Sequence, residues 1–174
     1  MKRIELIMNN PFFQQCMEKN TAKEVERKFC KHDLQHMIDV SRITYILVLE
    51  HGDFRQFVQE HRLVSRQAAK ELIYAAGLLH DIARWREYET GEDHAMVGAD
   101  YAQEVLARCD FSPHEIKIIA RAIHEHRTVV ENMSFLGERL YRADNLARAC
   151  SQCDVRDLCY KFKDMETGAQ LLIY

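Results

Sequence analysis

The sequence has few residues that interrupt secondary structure and no long hydrophobic run. Its 174 residues include 6 Gly and 2 Pro, so no stretch has the composition of a flexible linker, and we expect one compact domain over residues 1–174. No apolar run approaches the roughly 18 residues of a membrane span, and the N-terminal run is too short for a signal peptide. We therefore expect a cytoplasmic protein with no membrane partner.

The charge balance also excludes a class of partners. The net charge is −3 and the isoelectric point is near 6.3, so the chain has no general attraction to a polyanion. It also has no basic stripe of the kind that binds nucleic acid. We expect no nucleic-acid partner, and any phosphate group must be bound by local basic residues.

Six cysteines are present, and in the cytoplasm they are expected to be thiols and not disulfides. Three of them form the pattern Cys150-x2-Cys153-x5-Cys159 in the C-terminal segment 150–174. A small zinc or iron–sulfur site there needs a fourth ligand from Cys16, Cys30 or a group that is not a cysteine. Buried or redox-active thiols are the other interpretation, and the sequence leaves both open.

Apolar residues recur every three or four positions nearly throughout, which predicts an all-α, single-domain protein. Amphipathic helices are predicted over about 21–50, 65–85 and 135–149. A further helix is well signalled by Ser112-Pro113-His114-Glu115, which supplies an N-cap, a first-turn proline and a capping-box glutamate. The apolar tail 171–174 is expected to pack on the domain or on a second copy in a homodimer.

Six side chains of metal-ligand type fall on the apolar faces of these helices. Burying a carboxylate or an imidazole costs several kcal/mol unless it is paired, and a divalent metal satisfies both groups together. A structural hydrogen-bond network is the alternative. Periodicity favours His126 over His124. His32 stands one turn before His36 on nearly the same face, and of these two we favour His36. The predicted metal ligands are His36, His80, Asp81, His94, His126 and Asp144.

In sequence order, these residues and their neighbours resemble the HD superfamily of metal-dependent phosphohydrolases. The opening helix is HMIDVSRI, the signature dipeptide lies in LLHDIARW, and DHAMVGADYA, AIHEHR and LYRADNLAR resemble the later segments. The core motif region spans 32–149. The last two segments are similar to those of bacterial enzymes that cleave diadenosine tetraphosphate symmetrically, although Arg127-Thr128-Val129 replaces the usual Thr-Gly. The Gly-Tyr-Pro signature of cyclic-dinucleotide phosphodiesterases is absent.

The resemblance implies a helical HD-domain bundle that holds one or two divalent transition-metal ions, namely Fe, Mn, Co, Ni or Zn. Asp81 would bridge two ions, with His36, His80 and Asp144 completing one site and His94 and His126 the other. A metal-bridging hydroxide would attack phosphorus in a small phosphorylated metabolite, a nucleotide or dinucleotide. The catalytic residues implied are Asp81 and His80.

Four further residues are predicted to contact substrate: Arg84, Arg127, Arg148 and His32. Each arginine also has an ordinary interpretation as a solvated surface residue, and His32 could instead be a ligand or a hydrogen-bond partner of one. Two other functions use the same ligands. One is a di-iron oxygenase, and the other is a nucleotide-binding sensor or scaffold without catalysis.

Overall fold

The computed structural model describes residues 1–50, 52, 54–127, 129, 131–170 and 173–174. Within these ranges the chain is helical and has no β-strand, which confirms the all-α prediction. None of the described helices is long and apolar enough to cross a membrane. The helices are α1 Lys2–Met8, α2 Pro11–Lys23, α3 Leu34–Glu50, α4 Phe54–Glu60, α5 Arg66–Leu79, α6 Arg84–Thr90, α7 His94–Leu106, α8 Pro113–Glu125, α9 Phe135–Leu146 and α10 Glu166–Ala169, with short 3-10 turns at Cys150–Gln152, Arg156–Leu158 and Phe162–Asp164.

Helices α3 and α5 pack together at the centre, and α7, α8 and α9 complete the core around them. The central pair approaches closely because α5 carries Gly77. A Cβ atom at Gly77 would lie 2.5 Å from both Cα and Oγ of Ser41 on α3. The Ser41 hydroxyl is within hydrogen-bond distance of the Met37 carbonyl (2.7 Å) and the Tyr74 carbonyl (3.1 Å). The absence of a side chain at residue 77 therefore sets the spacing of the two helices.

The predicted helix over 21–50 is wrong, because residues 24–33 separate α2 from α3. Glu24 is buried at the end of α2, where its carboxylate accepts a 2.7 Å hydrogen bond from the His32 backbone N–H. This tertiary contact closes the loop. Val25 and Phe29, which fit the helical stripe in the sequence, are 63% and 38% exposed.

The predicted helix over 65–85 is also interrupted, since residues 80–83 form a turn between α5 and α6. The turn is held by Asn20 from α2, which is fully buried. Its Nδ2 donates to the Asp81 carbonyl at 2.9 Å, and its Oδ1 accepts from the Trp85 backbone N–H at 2.7 Å. His80 still has a helical backbone (φ −59°, ψ −37°), and Ile82 and Trp85 beyond it are also buried, so the apolar pattern of the sequence continues through the break.

The starts of α8 and α9 are as the sequence predicts. Ser112 caps α8 and forms the complete capping box with Glu115. The helix predicted over 135–149 begins as expected at Phe135 but ends at Leu146. In the tail, Leu171 and Leu172 lie outside the described residues, and Ile173 and Tyr174 pack against the core.

One arginine holds helix α1 against α5 and α8. The Arg3 guanidinium pairs with Glu71 of α5 at 2.6 Å and with Glu115 of α8 at 2.8 Å. All three side chains are largely buried, at 13%, 9% and 10% exposure respectively. The pKa of each glutamate is lowered, because the bonds to Arg3 and, for Glu115, to Ser112 outweigh the opposing effect of burial.

Candidate metal centre

Five segments of the chain end at one place in the interior. The first turn of α3 carries His36, and the turn between α5 and α6 carries His80 and Asp81. His94 is the first residue of α7, where Asp93 caps the helix, and His126 follows directly after α8. Asp144 lies in the last turn of α9. Ligand-type side chains at helix ends can thus converge without interrupting any helix.

The six predicted ligands form two groups that share one residue. The first group is His36, His80, Asp81 and Asp144, and the second is Asp81, His94 and His126. Within each group the candidate ligand atoms all lie within 4.8 Å of one another. His124, by contrast, is exposed on the opposite side of α8.

The carboxylate of Asp81 faces both groups, one oxygen toward each. Its Oδ2 lies 3.0 Å from His80 Nε2 and 3.9 Å from His36 Nε2. Its Oδ1 lies 3.1 Å from His94 Nε2 and 3.7 Å from His126 Nε2. A carboxylate in this arrangement is suited to bridge two cations.

The histidine rings are oriented by hydrogen bonds to their outer nitrogen. His80 Nδ1 donates to the Gly77 carbonyl at 2.7 Å, and His126 Nδ1 donates to the Ile123 carbonyl at 2.5 Å. In the neutral tautomer that such bonds select, the Nε2 lone pair points inward, as it does in histidines that bind metals. His80 Nε2 is buried and has no hydrogen-bond partner, because its close contact to Asp81 lacks hydrogen-bond geometry. A buried nitrogen without a hydrogen bond is rare in proteins, and this one fits a metal ligand.

The electrostatics of the centre favour a bound cation. Burial lowers the pKa of His36 to about 4, so its imidazole is neutral at physiological pH. Burial also opposes charge on His80, but the neighbouring carboxylates of Asp81 and Asp144 outweigh it and raise the pKa of His80 to about 10, so without a metal ion a proton holds the position between these groups that a bound cation would take. Both carboxyl pKa values lie well below their usual range, because adjacent cationic groups overcome the effect of burial. Two carboxylates enclosed by imidazoles form a donor set that suits a divalent transition metal.

Glu87 of α6, which the sequence did not point to, orients His94. Its carboxylate contacts His94 Nδ1 and pairs with Arg84 at 2.8 Å and Arg127 at 3.2 Å. Glu87 is seven residues before His94 in a different helix, so no periodicity connects the two. Asn20, which holds the 80–83 turn, was missed for the same reason.

His32 lies at the edge of the first group. Its Nε2 is 3.9 Å from Asp81 Oδ2, and its Nδ1 is paired with the buried carboxylate of Glu24. The Tyr88 hydroxyl donates to the same carboxylate at 2.6 Å. Although burial opposes ionisation, these bonds lower the pKa of Glu24 to about 2. Glu24 was also missed, because the sequence placed it within a continuous helix.

The three predicted arginines lie on two sides of the centre. Arg148 Nη2 lies 2.8 Å from His36 Nε2 and 3.1 Å from Asp144 Oδ1. Arg84 lies behind the His94 ring, where it pairs with Glu87 and donates to the Tyr88 hydroxyl at 3.1 Å. Arg127 pairs with Asp93 and is 42% exposed.

Comparison with known proteins identifies the family. The HD domain family model matches residues 33–149. A protein of Clostridium beijerinckii described only as uncharacterized is 33% identical over 159 residues, which cover 91% of this chain and 92% of that protein.

Bifunctional uridylyltransferase/uridylyl-removing enzymes match a shorter region. The one from Acinetobacter baylyi is 33% identical over 102 residues, or 55% of this chain and 11% of the enzyme. The one from Bradyrhizobium diazoefficiens is 33% identical over 89 residues, or 50% of this chain and 9% of the enzyme. This chain therefore corresponds to about a tenth of each of these enzymes, and no solved structure matches it. On the family match and the near full-length similarity to the Clostridium protein, the chain belongs to the HD domain family, the superfamily of metal-dependent phosphohydrolases.

Proposed function

We propose that this protein is a dinuclear metal-dependent phosphohydrolase that acts on a small phosphorylated metabolite, a nucleotide or a dinucleotide. The observation that carries the proposal is the placement of Asp81, whose two oxygens each face a separate group of ligand-type side chains. A single metal ion requires no such division.

The six ligands would together hold two metal ions. His36, His80 and Asp144 would hold one ion, His94 and His126 the other, and Asp81 both. Two divalent ions supply a water activated for attack and neutralise charge on the phosphoryl group when they are bound. The chain's own part is to fix the imidazole lone pairs inward, through the Gly77 and Ile123 carbonyls and Glu87.

The substrate is expected to enter beside Asp144, whose side chain is 25% exposed. Arg148 adjoins this carboxylate, and Arg127 pairs with Glu87 and Asp93 next to His94. Guanidinium groups at two edges are suited to bind phosphate oxygens on either side of the reacting phosphorus. His32 would contact the substrate from the first group's edge, with its ring fixed by Glu24.

A nucleotide is favoured by the named relatives. The enzymes from Acinetobacter and Bradyrhizobium are described as uridylyl-removing, and a uridylyl group is a nucleotide joined through its phosphate. The match with the first of them covers 55% of this chain. A phosphoester or phosphoanhydride of a nucleoside is therefore the first substrate class to test.

The test combines metal content with hydrolysis. Protein purified without exposure to affinity metals is assayed with Mn²⁺ or Co²⁺ on nucleoside mono-, di- and triphosphates, a uridylylated peptide and diadenosine tetraphosphate. Asp81→Ala should lose the ions bound by histidine and most of the activity. His126→Ala should lose one ion, whereas the matched variant His124→Ala should keep both, because His124 is exposed.

Two results would overturn the proposal. One is full activity in Asp81→Ala, and the other is the absence of turnover on the whole panel with both metals reconstituted. Activity that requires oxygen and stops under anaerobic conditions would indicate di-iron oxygenase chemistry instead.

A further inference from the structure

The six cysteines divide into two structural sets. Cys16 and Cys109 are each 1% exposed and are part of the hydrophobic core. The other four lie outside that core, in the 24–33 loop and in the C-terminal segment that follows α9. They are Cys30, Cys150, Cys153 and Cys159.

Arg148 joins these two segments of the chain. Its Nη1 donates to the Lys31 carbonyl at 2.8 Å, which places the residue after Cys30 beside the chain that leads into Cys150. The Cys30 carbonyl is held in turn by Arg27 Nε at 2.8 Å. Residues 117 positions apart in sequence are thus in direct contact.

The other three thiols of this set act on the Cys150 thiol electrostatically. Burial raises the pKa of the Cys150 thiol, and the charges of Cys30, Cys159 and Cys153 raise it further. The Thr167 hydroxyl adjoins the same sulfur and opposes the rise. Cys16 and Cys109 are part of the hydrophobic core, whereas the Lys31 carbonyl, next to Cys30, is bonded to Arg148, so Cys30 is the cysteine placed to supply a fourth ligand.

Tight turns carry the three C-terminal cysteines. Cys150 begins the turn Cys150–Gln152, and the Cys153 N–H donates to the Cys150 carbonyl at 3.2 Å. The turn Arg156–Leu158 is closed in the same way by Cys159, whose N–H donates to the Arg156 carbonyl at 3.0 Å. A Cys-x2-Cys pair across a single turn is the spacing at which two sulfurs reach one metal.

The C-terminal segment has little hydrophobic burial of its own. Among residues 150–170, all of which are described, only Cys150 and Thr167 are buried. Leu158 and Tyr160 are 72% and 86% exposed. Segments with so small a core are commonly ordered by a metal or by disulfides.

We propose that Cys30, Cys150, Cys153 and Cys159 bind a second metal centre through four thiolates. Four sulfur ligands suit zinc or an iron–sulfur cluster, and the four thiol protons would be released to solvent on binding. The described groups whose ligand atoms already lie within 4.8 Å of one another are the His/Asp groups. The cysteine side chains must therefore rotate to close around a metal, and Cys30, which is exposed, and Cys153 and Cys159, which are partly exposed, have room to do so.

This centre would fasten the two chain segments that flank the His/Asp ligands. Cys30 precedes His36 by six residues, and Cys150 follows Asp144 by six. Arg148, which contacts both His36 and Asp144, lies between them and bonds to Lys31. The cysteine centre would thereby position the 24–33 loop, including His32, at the edge of the candidate catalytic site.

The full-length wild-type protein, produced with zinc and iron in the medium, is the material for the test. Elemental analysis and X-ray absorption should show a metal with four sulfur neighbours, at about 2.3 Å if it is zinc. An iron–sulfur cluster would instead give iron with acid-labile sulfide and visible absorption. Metal release by a thiol reagent should be complete when four thiols per chain have reacted.

Variants separate this centre from the His/Asp site. Cys30→Ser and Cys153→Ser should each lose the sulfur-bound metal and keep the histidine-bound ions, and the control Cys16→Ala should keep both. Asp81→Ala should show the reverse loss and keep the sulfur-bound metal. The proposal is overturned if the wild type binds no sulfur-coordinated metal after reconstitution, if the four thiols form disulfides, or if Cys30→Ser retains the metal. The X-ray absorption result on wild type decides the matter if a variant fails to fold.

Discussion

Replacing Gly77 with alanine should destabilise the protein and disturb His80, because α3 and α5 leave no room for a methyl group. The new Cβ would lie 2.5 Å from Ser41 Cα, 2.5 Å from its Oγ and 2.7 Å from its backbone N. Carbon atoms in ordinary contact are about 3.5–4.0 Å apart. The two helices must therefore separate by about 1 Å, since backbone atoms cannot rotate away.

The expected cost follows from two opposing effects. Overpacking a core costs about 1–3 kcal/mol, and contacts with backbone atoms place this substitution near the upper limit. Alanine in a helix gains about 1 kcal/mol over glycine. The free energy of unfolding should therefore fall by about 2 kcal/mol, which lowers the Tm of a domain of this size by about 4–8 °C. The Gly77 carbonyl also accepts from His80 Nδ1, so metal affinity should decrease as well.

Gly98→Ala provides a matched control inside another helix. Its Cβ would meet the His80 carbonyl oxygen at 3.5 Å, Ile123 Cγ2 at 3.6 Å and Ala83 Cβ at 3.8 Å, which are ordinary contacts. This variant should be as stable as the wild type or more stable, by up to about 1 kcal/mol. Urea unfolding followed by circular dichroism measures both variants. The reasoning fails if Gly77→Ala equals or exceeds the wild type in stability while Gly98→Ala behaves as expected.

Three further substitutions test the contacts that hold the fold and the site. Arg3→Ala should lower the free energy of unfolding in urea by about 3–5 kcal/mol, because it leaves two buried carboxylates unpaired. The control Lys2→Ala breaks only an exposed ion pair and should cost less than about 1 kcal/mol. Equal effects of the two substitutions would contradict this reasoning. Above the pKa of glutamate in the unfolded chain, near 4.5, the Arg3 pairs should contribute their full stabilisation. This contribution should be lost as the pH falls from 4.5 toward the lowered pKa values of Glu71 and Glu115 in the folded protein. Arg3→Ala should therefore make the acid limb of a stability–pH curve less steep. Glu87→Gln should weaken metal binding by about 10- to 100-fold in a competition titration, because Glu87 orients His94; unchanged affinity would refute that role. Asn20→Ala should cost about 2–3 kcal/mol through two lost hydrogen bonds, and a cost below 1 kcal/mol would show that the 80–83 turn holds itself.

The sequence was sufficient to predict the helices with strong local signals. Ser112 and Glu115 cap α8 as predicted, and the stripe on that helix correctly distinguished buried His126 from exposed His124. These features depend on residues within one or two turns of each other, which is the range over which periodicity and capping are informative.

The two wrong helices have a common physical cause. The break at 24–33 depends on the Glu24 carboxylate accepting from His32, and the break at 80–83 depends on Asn20 bonding to Asp81 and Trp85. Both breaks are stabilised by buried polar contacts whose effect on the backbone exceeds the preference for continuing a helix. The Asn20 contacts join residues 61 and 65 positions apart, and the Glu24–His32 contact spans eight residues across a loop, so neither lies within the three- and four-residue spacing that helical periodicity reports.

The sequence by itself determined the helical fold class, the family and the set of ligand-type residues, because each depends on residue types in order along the chain. Only the tertiary structure decided how those residues are grouped: which side of Asp81 faces which histidines, that Glu87 lies behind His94, and that Lys31, next to Cys30, bonds to Arg148. The physical reason is that spacing fixes the face of a helix on which a residue lies, whereas packing between helices fixes its distance to residues elsewhere in the chain.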